Sequence, residues 1–104
     1  MKLATYHIFF SNLANPLRIE IISALMNGKK SVGELEKEIK EEQSKLSHAL
    51  ASLRKCNLVN SERKGKVKIY SLNKRTLMPI LKIIDNHAIE DCGDNCRQCR
   101  ICKM

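Results

Sequence analysis

Apolar residues recur with helical spacing along most of this chain and give way to strand-like alternation only once. Tyr6, Phe9, Phe10 and Leu13 stand at i, i+3, i+4 and i+7, the spacing that gathers side chains on one face of a helix, and they predict a first helix over residues 3–13. Asn15 offers an N-cap, Pro16 takes the first helical position where its missing N–H costs nothing, and Gly28 after Asn27 supplies a stop. A second helix is therefore expected over 16–27, with Ile19, Ile22, Leu25 and Met26 turned inward. Ser31 and Glu34 have the spacing of a capping box, which opens a third helix running from 32 to about 40 with Val32, Leu35 and Ile39 inward. After a brief turn, Leu46, Leu50 and Leu53 repeat that face on a fourth helix over about 43–55. Two short helices joined this tightly read as a helix-turn-helix.

The change of period comes next. Leu58 and Val59 begin a strand, Lys64-Gly65-Lys66 holds the glycine a tight hairpin needs, and Val67 to Leu72 is rich in β-branched and aromatic residues. A last helix over about 74–90 carries Leu77, Ile80, Leu81, Ile83 and Ile84 over a wider arc than one packing face uses. That surplus asks for a partner. The expected fold is mainly α with a small β-hairpin, in the order α-α-α-α-β-β-α of a winged helix-turn-helix. Residues 1–90 are expected to form one winged-helix domain and 91–104 a Cys-rich tail.

Composition sharpens this picture in two places. A chain of 104 residues with a formal charge of +8 is one domain with a positive field, which favours polyanionic partners such as nucleic acid. The first residues alternate apolar and polar groups, without the continuous core of an export signal, and no run nears the roughly 20 apolar residues that span a bilayer. A cytoplasmic protein without membrane partner is expected. The charge also has a location. With Leu46, Leu50 and Leu53 inward, the fourth helix turns Gln43, Ser44, Lys45, Ser47 and His48 outward, all donors able to reach base edges and phosphates. The hairpin adds Arg63, Lys64, Lys66 and Lys68 against a single nearby carboxylate, Glu62, and Arg54 and Lys55 extend the same field. Solvation of an ordinary surface is the plain alternative for such charges, but helix-turn-helix, basic hairpin and net charge agree on double-stranded DNA.

In that order these segments resemble the ArsR/SmtB family of metalloregulatory repressors over most of residues 10–90. Leu13-Ala14-Asn15-Pro16-Leu17-Arg18 is similar to the family's opening of the second helix, and Ser31-Val32-Gly33-Glu34-Leu35 to the start of the third. Gln43 to Leu50 resembles its recognition helix, Leu53 to Val59 its exit into the wing, and Arg63-Lys64-Gly65-Lys66 with Tyr70 the wing itself. The resemblance implies a homodimer assembled through the first and last helices, with Tyr6, Phe9, Phe10, Leu77, Ile80, Leu81 and Ile84 at the interface. It implies a repressor reading two halves of a pseudo-palindromic operator about 34 Å apart. Lys40-Glu41-Glu42 departs from the family, which commonly has a glycine, an apolar residue and a capping Ser or Thr there.

The family's thiol site on the third helix falls here on Ser31 and Gly33, so it is absent. Of the zinc set between its last helices, the later pair resembles His87 and Glu90, while the early positions fall near Lys74 and Thr76. Half a set holds metal weakly, and a structural role for His87 at a helix end is favoured. His7 reads as an interface or surface residue. The tail differs: Cys92, Cys96, Cys99 and Cys102 form C-x3-C-x2-C-x2-C. Four thiolates would close a tetrahedral zinc site, three would hold a trivalent metalloid, and the CxxCxxC portion is akin to an iron–sulfur ligand run. Arg97, Arg100 and Lys103 lie between the thiols and favour thiolate for metal binding and oxidation alike. Reduced, unligated thiols are the remaining reading, and spacing does not choose among these. Cys56 fits no such spacing and is expected to be semi-buried. No acid, base and nucleophile set suggests an enzyme. The rival to a metal- or redox-sensing repressor is a protein-interaction or RNA-binding module with the winged fold as scaffold and a structural zinc tail.

Overall fold

The computed structural model describes residues 2–89 and contains, in order, α1 (Leu3–Leu13), α2 (Pro16–Leu25), β1 (Lys30–Ser31), α3 (Val32–Ile39), α4 (Gln43–Lys55), β2 (Val59–Lys64), β3 (Val67–Leu72) and α5 (Lys74–His87). The chain divides into two units at the Asn73–Lys74 junction. The fold is a winged helix-turn-helix, mainly α, as the hydrophobic pattern predicts.

Local chemistry sets the helix ends in the first unit. Asn15 Oδ1 accepts from the backbone N–H groups of Leu17 and Arg18, and Pro16 stands at the first position of α2. Ser31 Oγ accepts from Glu34 N while Glu34 Oε1 accepts from Ser31 N, completing the capping box of α3. The end of α4 is a Schellman turn. Asn57 adopts φ +58, its N–H donates to Arg54 O, and Leu58 N donates to Leu53 O, both at 3.0 Å. That turn sends the chain from α4 directly into β2.

Leu35, Leu46, Leu50, Leu53 and Leu58 are fully buried with Ile21 and Leu25, and Val59, Tyr70 and Leu72 join this core from the sheet. The inward face of α2 differs from the expected one. Ile22 and Leu25 are buried, but Ile19 and Met26 are 46% and 42% exposed, and Ile21 and Ala24 take their places. Apolar residues surround α2, so its own periodicity allows more than one face; packing against α1, α3 and α4 selects the one used. Val32 and Ile39 are only half-buried.

The sheet has three strands in the order β1-β3-β2, all antiparallel. The hairpin pairs Lys64 with Val67 and Arg63 with Lys68 around Gly65 at φ +65, a conformation that glycine adopts without Cβ strain. Strand β1, which pairs Lys30 with Tyr70 and Ser31 with Ile69, escapes the sequence pattern because two residues show no period.

In the second unit α5 is α-helical over Lys74–His87, Ala88 and Ile89 continue it in π-helical form to the last described residue, and Pro79 lies inside it. Its apolar arc is graded: Leu77 is buried, Ile80 and Leu81 are half-buried, and Ile83 and Ile84 are exposed. Leu77, expected at a dimer interface, has no surface left to offer, whereas Ile83 has. Among the described residues no helix is long and apolar enough to cross a membrane.

Candidate nucleic-acid interface

Helix α4 buries Leu46, Ala49, Leu50 and Leu53 and leaves Gln43, Ser44, Lys45, Ser47 and His48 exposed. The five polar positions singled out from the sequence are thus available on one rigid element, held from beneath by four buried side chains. They fall into two rows. Gln43 and Ser47, continued by Ala51 and Arg54, line a groove of about 620 Å³ that α4 shares with the hairpin. Across it stand Arg63, Lys66 and Lys68, with Val67 and Tyr70. Ser44, Lys45 and His48 lie on the other flank, where α4 meets the first turn of α2 in a smaller cleft of about 280 Å³.

The electrostatics of the groove are one-sided. Among the described residues no carboxylate lines it. Glu62, the nearest acid in the hairpin sequence, is paired with Lys29 through Nζ and Oε1 at 3.3 Å. Among the described residues Arg63, Lys64, Lys66 and Lys68 enter no ion pair. Four uncompensated cations on a two-stranded ribbon beside an exposed helix form a surface suited to a phosphate backbone.

The Lys40-Glu41-Glu42 segment takes a definite form. Lys40 caps α3 in the left-handed region at φ 60 and ψ 45, a conformation that glycine adopts at least cost. Glu42 is the N-cap residue of α4 but its side chain makes no capping hydrogen bond. Glu41 Oε1 accepts from Glu42 N and lies 3.8 Å from Lys45 Nζ.

Sequence reasoning missed a polar node beneath this surface. Asn12 of α1 is only 7% exposed. Its Oδ1 accepts from Arg18 Nη1 at 2.5 Å, and its Nδ2 donates to Cys56 Sγ at 2.7 Å and to Ile8 O at 3.3 Å. Cys56, half-buried as expected and a free thiol, is the C-cap of α4. The node therefore joins α1, the start of α2 and the end of α4. Its one sequence signal was an asparagine within the aromatic and aliphatic run of the first helix, after Ser11 and before Leu13.

Tyr6 and Phe10 of α1 are exposed, Phe10 by 61%, while Phe9 and Leu13 are half-buried. Leu3 and Ile8, absent from the expected interface set, are exposed as well. His7 is exposed on the same helix. His87 lies in the last turn of α5 and Lys74 and Thr76 in its first. Glu90 and the four cysteines Cys92, Cys96, Cys99 and Cys102 lie outside the described residues. Among the described residues no three His, Cys, Asp or Glu side chains gather as a metal site.

The family model for "Bacterial regulatory protein, arsR family" matches residues 15–61, which span α2 to the first half of β2. The chain is 37% identical over 76 residues to the uncharacterized HTH-type transcriptional regulator Rv0081 of Mycobacterium tuberculosis, covering 72% of this chain and 67% of that one. It is 30% identical over 77 residues to the transcriptional activator HlyU of Vibrio cholerae, covering 74% and 71%. With the transcriptional repressor SmtB homolog of Synechocystis it shares 35% identity over 82 residues, 79% of this chain and 62% of that one. The crystal structure of Rv0081 superposes with a TM-score of 0.80 at 31% identity, covering 88% of this chain and 93% of that chain. HlyU superposes with a TM-score of 0.72 at 28% identity, covering 88% and 99%.

Proposed function

This chain belongs to the ArsR family of bacterial regulatory proteins, transcription regulators with a DNA-binding helix-turn-helix, and from that premise we propose that it is a homodimeric repressor reading a pseudo-palindromic operator. The observation that carries the reading is the groove between α4 and the hairpin: exposed base-reading donors on one wall, unpaired cations on the other, and no carboxylate in its lining among the described residues. In this reading α4 lies in the major groove. Gln43, Ser44, Ser47 and His48 reach base edges, with Lys45 beside them. Arg63, Lys64, Lys66 and Lys68 neutralise the adjacent backbone and hold the register of the helix.

Dimerisation is supported by apolar surface on each unit. Tyr6 and Phe10 on α1, and Ile83 and Ile84 on α5, are large apolar side chains left exposed, and apolar groups gathered on one helix face suit a protein partner. A second copy of the chain that covers these faces places two α4 helices on successive half-sites. The relatives bear the names of an activator and a repressor; repression is the sign proposed here. For the signal we propose the thiols Cys92, Cys96, Cys99 and Cys102, taking a thiophilic metal, a metalloid or an oxidant, on the support of their spacing alone.

A duplex selected by the protein from a random library, titrated by fluorescence anisotropy, tests the reading. Selection of an inverted repeat with two protomers bound per duplex is the expected result, and equal binding to every duplex overturns it. Metal content and DNA affinity of anaerobically purified protein, compared with Cys96→Ser and Cys99→Ser, test the sensor. Bound metal that disappears together with those thiols, and altered DNA affinity, are expected.

A further inference from the structure

The α4 helix has a concavity on both flanks, and only the one beside the hairpin is accounted for by a wing. The other, of about 280 Å³, is formed by the first turn of α2 and the outer row of α4. We propose that this cleft is a second seat for the DNA backbone, in which α2 contributes Arg18 and contacts the strand opposite to the one the hairpin holds. The proposal rests on the regulator reading above and extends the binding surface to a helix outside the helix-turn-helix.

The geometry is the first argument. The major groove is about 12 Å wide and a helix with its side chains about 10–12 Å across, so a helix seated there meets a sugar-phosphate ridge on each side. A protein surface that admits the helix fully must be hollow on both flanks, and this one is. Chemistry is the second. The rim of the cleft carries Arg18, Lys45, Ser44 and His48, its floor is Leu17 and Ala49, and among the described residues no carboxylate lines it. Arg18 spends Nη1 on Asn12 Oδ1, which fixes the guanidinium while leaving others of its five N–H donors for a phosphate. The pair of Lys45 with Glu41, at 3.8 Å and solvent-exposed, competes weakly. The polar node of Asn12 thereby gains a purpose, since it aims the one cation of α2 at the flank of the recognition helix.

Leu17 gives the test, because both charges can be placed there at the same cost in packing. Leu17→Glu and Leu17→Lys are compared on the selected duplex, with Ser23→Glu and Ser23→Lys, on the exposed side of α2 and outside the cleft, as the measure of plain net charge. Melting temperatures establish that each variant is folded, and Arg18→Gln provides an independent readout if Leu17→Glu is not. The expected result is that Glu binds at least about tenfold more weakly than Lys at position 17, and within about threefold of Lys at position 23. In phosphate-ethylation interference, one cluster of phosphates whose ethylation blocks binding should then lose its effect on Leu17→Glu or Arg18→Gln, and the cluster on the opposite strand on Lys66→Gln. Equal ratios at positions 17 and 23, or an interference pattern unchanged by Arg18→Gln, overturns the second seat while the regulator reading stands. A wild-type protein that selects no duplex overturns both.

Discussion

Asn12 shows what one side chain does at the residue scale. Buried between α1 and the end of α4, it satisfies Arg18 and Cys56 at once, and its removal strands both partners. Asn12→Ala is expected to cost about 1–3 kcal/mol, the range for leaving a buried or charged partner unsatisfied, measured by urea denaturation. Lys40 acts in the opposite direction. A Cβ in the left-handed region costs about 1–2 kcal/mol, and Lys40 sits there at φ 60. Lys40→Gly is expected to raise stability by about 0.5–1 kcal/mol after the entropy of the unfolded glycine is set against that relief, seen as a higher denaturation midpoint at unchanged slope. Asn57 occupies the same region at φ 58, but an asparagine side chain tolerates it better.

At the scale of elements, caps and turns place the site. The box of Ser31 and Glu34 fixes where α3 begins, and the Schellman turn at Asn57 fixes the angle at which α4 hands the chain to the wing. The N-terminus of α4 is the weak point, since Glu42 holds the cap position without capping. Glu42→Ser should stabilise the protein by about 0.5–1 kcal/mol through a new hydrogen bond to the first turn. It also removes a negative charge from the end of the helix proposed to enter DNA, so tighter operator binding is expected in the same titration. An unchanged midpoint in thermal melting argues that Glu42 is already offset by the helix dipole.

Charge and association belong to the whole molecule. With a formal net charge of +8, DNA affinity should fall steeply with salt. Changing Arg63 and Lys66 together to Gln is expected to make the slope of log K against log salt shallower by about 0.9 for each phosphate no longer neutralised; a slope unaltered by that change removes the hairpin from the backbone. The exposed faces of α1 and α5 lead to a second expectation. Phe10→Glu with Ile84→Glu should yield a monomer by light scattering and lose operator affinity, as a single half-site binds without its mate.

Helix count, helix starts, the hairpin and the two faces of α4 were legible in the sequence, because each depends on neighbours along the chain: a 3.6 period, a capping side chain, a glycine at a turn; α2 closes at Leu25, two residues before the expected end. Both rows of polar residues on α4 and the basic hairpin could be named before any fold was known. Tertiary structure decided the rest. It chose which apolar side of α2 is buried, exposing Ile19 and Met26 in favour of Ile21 and Ala24, since a helix apolar on several sides takes its orientation from what packs on it. It made a strand of Lys30 and Ser31, which become one only when β3 lies alongside. It joined Asn12, Arg18 and Cys56, and set Arg18 beside Lys45 on the flank of α4. Sequence carries the local preferences of each segment, and contacts between residues far apart along the chain exist only once the chain has closed on itself.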